Sequence, residues 1–207
     1  MRRGDTAHLL SVIATRYGRY IGSGAGRAPY ISKESEVSER LYNVLFLCTG
    51  NSARSILAEA LLNHWGQGRF LAYSAGSDPS GQVNPYALAT LQEMHIPAGQ
   101  PRSKSWSEFS TSDGQSRDMD LIITVCDNAA GEACPVWPGH PVSAHWGMPD
   151  PAAVRGSDAQ KRRAFREAFQ TLQLRVRALT QLPFADLDPR ELQRRINQLR
   201  ELAEQPA

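Results

Sequence analysis

The sequence predicts an α/β domain built on a parallel sheet, and three observations carry that prediction. Apolar runs of strand length alternate with segments of helical periodicity over residues 41–180. The first run, over 44–48, opens through a small polar loop directly into a helix with apolar residues at Ile56, Leu57, Ala60 and Leu61. The length of 207 residues, 41% hydrophobic content and net charge of +2 suit one domain with a sizeable core. The balanced charge gives no reason to expect a nucleic-acid partner. No apolar run approaches the roughly 20 residues a membrane span needs, and no repeat of roughly 20–50 residues is visible.

The elements are expected in this order. The strand at 44–48 is followed by a helix that fades at Trp65-Gly66-Gln67-Gly68, and a second strand spans 70–74 before the loop Ala75-Gly76-Ser77-Asp78-Pro79. Asn84 is placed to cap a helix reaching Met94, with Pro85 at its first position. Residues 105–109 read as a short helix, 120–126 as the most strand-like segment and 141–145 as a weaker strand. A long helix capped by Ser157 or Asp158 carries Phe165, Phe169, Leu172, Val176 and Leu179 on one face. A second amphipathic helix is expected over 186–203, with Leu187, Leu192, Ile196 and Leu199 inward and Arg190, Arg194, Arg195 and Arg200 outward. The division is thus an N-terminal extension at 1–40, a core domain at 41–183 and a C-terminal helix at 184–207. The extension is expected to be a disordered, non-catalytic tail. Its Arg2, Arg3, Arg16, Arg19, Arg27 and Lys33, set against Asp5 alone in residues 1–33, also fit a transit peptide.

The chemistry concentrates in Cys48-Thr49-Gly50-Asn51-Ser52-Ala53-Arg54-Ser55. Backbone amides of such a loop can face one concavity, and the helix N-terminus adds the positive end of its dipole, so Thr49, Gly50, Asn51, Ser52, Ala53 and Arg54 are candidates to bind an oxyanion. The same field favours thiolate and makes Cys48 a candidate nucleophile with a lowered pKa. Arg54 supplies a planar fork for two oxygens, and Ser55 a hydroxyl for the sulfur. Cys126 ends the 120–126 strand, and Cys134 lies in the small-residue loop that follows. Three cysteines are an odd number for a disulfide framework and point to a reducing, cytoplasmic setting.

Cysteine, five residues, arginine and serine, between a strand and an amphipathic helix, resembles the phosphate-binding loop of the low-molecular-weight protein tyrosine phosphatases and of the arsenate reductases sharing their fold. The resemblance implies a flavodoxin-like three-layer sandwich, with a four-stranded parallel sheet of order 2-1-3-4 and helices on both faces, in which the strands ending at Cys48 and Cys126 are neighbours. Tyr73-Ser74-Ala75-Gly76, Cys126 with Cys134-Pro135, and His145-Trp146-Gly147-Met148-Pro149-Asp150-Pro151-Ala152 extend the likeness toward thioredoxin-coupled arsenate reductases, over about residues 42–180. What this implies is a relay: Cys48 attacks arsenate, Cys126 attacks Cys48 as arsenite leaves, and Cys134 passes the disulfide to thioredoxin. Glutaredoxin, glutathione or mycothiol are the alternative donors. Asp150 takes the place of the phosphatases' general acid, although Asp-Pro also reads as a turn or cap.

Departures favour arsenate over phosphotyrosine. Ala152 and Ala153 stand where the phosphatases carry a tyrosine pair, Ala53 replaces a second cysteine, and Ile56 replaces a proline. The interval between Cys126 and Cys134 is one residue longer than the reductase pattern, which bears on the role of Cys134. The family likeness also implies a potassium ion near Asn51, Glu59 and Ser74; no other metal is expected, since Cys126 and Cys134 lie too far apart for a zinc knuckle. The expectation is a monomeric, cytoplasmic arsenate reductase. A phosphatase using Cys48, Arg54 and Asp150 alone, and a non-catalytic redox sensor controlled by a Cys48–Cys126 disulfide, are the competing readings.

Overall fold

The computed structural model describes residues 40–110, 118–127, 129, 137 and 140–202. The expected extension at 1–40 therefore lies, apart from Arg40, outside the described residues, as does Cys134. Strands β1 (Tyr42–Cys48), β2 (Phe70–Gly76), β3 (Leu121–Thr124) and β4 (Val142–His145) form a sheet of order β2-β1-β3-β4. All three pairings are parallel. The register sets Cys48 opposite Gly76 and Leu47 opposite Thr124, so the chemistry-bearing loops leave the sheet at one edge. β1 is apolar at every position from Val44 to Cys48 because both of its faces are covered.

Alternation along β1 divides the core. Val44, Phe46 and Cys48 face a large cluster shared with helices α1 (Arg54–Trp65), α2 (Pro85–Glu93), α3 (Asp158–Thr180) and α4 (Pro189–Gln198). Leu45 and Leu47 face a smaller cluster with Ala75, Met119, Ile122 and Trp137, against which Trp106 and Phe109 pack from the 3-10 turn Trp106–Phe109. The caps are those the sequence indicates. Asn84 accepts from the Tyr86 amide with Pro85 at the first helical position, and Ser157 and Gln160 form a reciprocal capping box.

The C-terminal helix is shorter than the periodicity suggests. Pro189 disfavours helical backbone at Asp188, which is extended and accepts from the amides of Arg190 and Glu191. Phe184–Asp186 forms a separate 3-10 turn, and beyond Gln198 the chain tightens into another, Leu199–Glu201. α4 still buries Leu192 and Ile196, and it grips the end of β4. Trp146 Nε1 donates to Ile196 O at 2.9 Å, and the His145 amide donates to Asn197 Oδ1 at 3.2 Å. Among the described residues, no helix is long and apolar enough to cross a membrane.

Arg175 of α3 completes that joint. Its guanidinium is buried and donates to three carbonyls: Trp146 O at 2.8 Å, Arg200 O at 2.6 Å and Leu202 O at 3.0 Å. Burial, with Arg200 nearby, holds its pKa below the ordinary value. Removing the fork strands three acceptors, so Arg175→Met is expected to destabilise the domain by about 3 kcal/mol in urea unfolding. A change near zero would show that these carbonyls find other donors.

Candidate active site

The loop between β1 and α1 is held from outside. The carbonyl oxygens of Cys48, Thr49, Gly50 and Ser52 accept from the amides of Ser77 (3.3 Å), Asp78 (3.1 Å), Ser80 (3.0 Å) and Asn84 (2.9 Å), all on the segment leaving β2. Ser103 Oγ donates a second bond to Gly50 O at 3.1 Å. With its carbonyls turned away, the loop presents N–H groups to its own concavity: the amides of Asn51, at 3.2 Å, and Ser55 both reach Cys48 Sγ. Gly76 makes this crossing possible, since a Cβ there would lie 2.3 Å from Thr49 O and 3.0 Å from Asn51 Cβ. α1 opens at Ala53 with no side-chain cap and no acidic residue in its first turn, which leaves its terminal donors for an anion.

Asn51 is fully buried with φ of 41°, a left-handed conformation that asparagine tolerates better than most residues. Its Oδ1 accepts from the Lys104 amide at 2.8 Å, and its Nδ2 donates to Ser55 Oγ and Ser74 Oγ, both at 2.9 Å. Ser55 Oγ thus receives one bond from Asn51 and lies 3.0 Å from Cys48 Sγ, where its hydrogen can be donated once the sulfur is a thiolate.

The thiol itself departs from expectation. Burial pushes the Cys48 pKa above its ordinary value, and the neighbouring Cys126 adds to the rise. The Ser55 hydroxyl and the Ser55 and Asn51 amides act in the opposite direction without reversing it. The lowering read from the helix N-terminus is outweighed because Cys48 is 3% exposed. Hydrogen bonding, rather than an exposed electropositive setting, is what this site offers the thiolate.

Arg54 and Asp150 are brought together across the loop. Arg54 donates to Met148 O at 3.1 Å and pairs with Asp150 Oδ2 at 3.0 Å. The other carboxylate oxygen accepts from the Ala152 amide at 3.0 Å and caps the turn Pro151–Ala153. Asp150 therefore has both the capping role and a place at the site. Ala152 and Ala153 are exposed and set no aromatic wall beside it.

Cys126 follows β3 and is buried, with Sγ 3.7 Å from Thr49 Oγ1 and 3.4 Å from the Ala129 amide. Both described cysteines are free thiols. Next to Cys126, Asp127 Oδ1 lies 3.0 Å from His145 Nε2, and His145 Nδ1 lies 2.8 Å from Thr124 Oγ1, which ties the start of the Cys126 loop to β4.

Asn51, Glu59 and Ser74 also converge, but not as a donor set for potassium. Asn51 turns its NH2 toward Ser74, and Ser74 donates to Glu59 Oε2. The cation present is the Lys104 ammonium, 3.5 Å from Glu59 Oε2, Ser74 Oγ and Arg102 O. Sequence reasoning missed Lys104. In Arg102-Ser103-Lys104-Ser105 it looks like any solvated lysine, and only the pairing of Gly76 with Ser105 brings it inward.

The family model described as low molecular weight phosphotyrosine protein phosphatase matches residues 43–195. Among curated relatives, the arsenate reductase of Halalkalibacterium halodurans is 33% identical over 143 residues, covering 67% of this chain and 94% of that protein. The Bacillus subtilis arsenate reductase is 36% identical over 118 residues, 57% of this chain and 80% of the relative. Among solved structures, an arsenate reductase from Archaeoglobus fulgidus aligns with a TM-score of 0.50 at 30% identity, covering 66% of this chain and 98% of its own. A thioredoxin-dependent arsenate reductase from Corynebacterium glutamicum aligns with a TM-score of 0.50 at 25% identity, covering 70% of this chain and 63% of its own. With the match at residues 43–195 taking in the anion loop and well over half of the chain, the chain belongs to the low molecular weight phosphotyrosine protein phosphatase family.

Proposed function

We propose that this chain is an arsenate reductase that uses Cys48 as nucleophile and returns to its dithiol state through an external thiol reductant. The observation that carries this reading is the second buried thiol. Cys126 lies at the carboxyl end of the strand beside β1, with its sulfur 3.7 Å from the hydroxyl of Thr49, the residue after Cys48. Hydrolysis of a phosphate ester has no use for it.

In the proposed sequence, arsenate binds to the loop amides and to the α1 terminus, with Arg54 turning from Asp150 to the anion. The Cys48 thiolate attacks arsenic, and one oxygen leaves as water with a proton from Asp150. The Cys126 sulfur then attacks Cys48 Sγ. The S–As electron pair stays with arsenic, As(V) becomes As(III), and two thiols become one disulfide. Cys134 is assigned the next exchange, forming a disulfide with Cys126 that thioredoxin reduces. The thioredoxin-dependent relative favours that donor over glutaredoxin, glutathione or mycothiol. The second reading, a phosphatase, draws on the Arg54–Asp150 pair, which would serve an ester leaving group equally well.

Arsenite formation by the purified protein with thioredoxin, thioredoxin reductase and NADPH, alongside hydrolysis of para-nitrophenyl phosphate, separates the two. Reduction abolished by Cys48→Ser and by Cys126→Ser is expected. Absence of arsenite with every donor, together with phosphate release that survives Cys126→Ser, would leave the phosphatase. A second prediction concerns the thiolate. Ser55→Ala removes the largest influence lowering the Cys48 pKa, so the pKa rises further and less thiolate is present at neutral pH. Iodoacetamide should then alkylate Cys48 about tenfold more slowly at pH 7, with the rate profile displaced to higher pH. An unmoved profile would remove Ser55 from thiolate stabilisation.

A further inference from the structure

We infer that Lys104 is the built-in cation of the anion loop, its ammonium taking the place of a bound monovalent metal ion and positioning Asn51, Ser55 and, through them, Cys48. The Lys104 side chain is 7% exposed and makes its ion pair with Glu59, on the inner side of α1, at 3.5 Å. Its ammonium and the Asn51 NH2 approach the same Ser74 oxygen, at 3.5 and 2.9 Å, and Ser74 in turn donates to Glu59. Hydroxyl valence fixes the direction as far as Ser55. Ser74 has spent its hydrogen on Glu59 and can only accept from Asn51 and Lys104; Asn51 spends its two amide hydrogens on Ser74 and Ser55, and Ser55, 3.0 Å from Cys48 Sγ, keeps its hydrogen to donate when that sulfur is a thiolate.

An ammonium supplies one positive charge and donors directed at oxygens, as a potassium ion supplies one charge and needs oxygens around it. Here two of the oxygens a metal would need already accept from Lys104, and Asn51 presents nitrogen rather than oxygen to the cluster. The Lys104 backbone contributes separately, with its amide on Asn51 Oδ1 and its carbonyl accepting from Gly76. A side-chain substitution therefore tests the ammonium while the backbone clips remain. Lys104 touches no reacting atom; it is a positioning residue.

The consequence for the reaction rests on the arsenate-reductase reading, but the test does not. Cys48 alkylation by iodoacetamide across pH, and the melting temperature, are measured in KCl, NaCl and choline chloride at about 0.15 M. The unmodified protein should give the same profile and the same melting temperature in all three salts. Lys104→Met should lower the alkylation rate at pH 7 about tenfold, displace its pH profile upward, and recover part of the loss in KCl but not in choline chloride. If that variant fails to fold because Glu59 is left without a cation, Lys104→Met/Glu59→Gln removes the lone carboxylate. The double variant should fold, keep the displaced profile and show no potassium response. A potassium-specific gain in the unmodified protein, or an undisplaced profile in the folded variants, overturns the inference. Failure of arsenite formation alone would count against the proposed reaction and leave the role of Lys104 standing.

Discussion

The side-chain amide of Asn51 is the constraint on which the rest of the site depends. A left-handed backbone at a non-glycine residue costs about 1 kcal/mol or more, and a buried primary amide is costly if its donors and acceptor go unmet. Here all are met: Lys104 N for the carbonyl, Ser55 and Ser74 for the two hydrogens. At roughly 1 kcal/mol each, three bonds offset the strained dihedral and fix the loop residue whose amide points at Cys48. The polarity of the cluster follows, because Asn51 donates to Ser55 and so leaves the serine hydrogen available to a Cys48 thiolate. An aspartate at this position would supply no donor and would place a second carboxylate near Glu59.

Around that centre, long-range contacts set the loop's shape while its own residues supply the chemistry. The segment after β2 takes up the loop carbonyls, and Gly76 lets β2 pass beneath at a separation no side chain would allow. On the opposite wall, Trp146 and Arg175 join the end of β4 to the C-terminal segment. The chain then runs through Gly147 and Met148 to Asp150. The C-terminal helix anchors the strand end from which the Met148 carbonyl and the Asp150 carboxylate reach Arg54. A helix that reads in sequence as an amphipathic element docked beyond the core domain is thereby part of the frame of the site.

Sequence legibility divides along the same line. The strands, the opening of α1, the Asn84 and Ser157 caps and the positions of Cys48, Arg54 and Ser55 are written in short windows, where periodicity and capping chemistry act locally. The sheet order, by contrast, came from resemblance. Lys104 and Arg175 carry no local mark, since a lysine between serines or an arginine within an arginine-rich helix is ordinarily solvated. Their partners lie 45 residues away at Glu59 and 29 away at Trp146. The rise in the Cys48 pKa has a related cause: the helix terminus and the loop amides can be read from sequence, whereas the depth at which the sheet buries the sulfur cannot. Pro189 marks where the C-terminal helix begins, three residues after the expected start at 186.

Burial also governs how the proposed reaction would end. Cys48 and Cys126 are 3% and 2% exposed, so a disulfide between them would be closed to a protein reductant, which needs a sulfur it can approach in line. The oxidising equivalents have to be carried outward by a part of the chain that can leave the sheet edge. Among the described residues, the Ala129 amide donates to the Cys126 sulfur, Thr49 Oγ1 lies 3.7 Å from it, and the exposed Asp127 pairs with His145. Surface pairs of this kind contribute roughly 0–1 kcal/mol. By contrast, Asn51, Ser55 and Ser74 on the Cys48 side are fully buried and mutually bonded. Rigidity is thereby built around the first cysteine: the nucleophile keeps its anion cradle, and in the proposed relay the displacement that brings an oxidised sulfur to the reductant falls to the second.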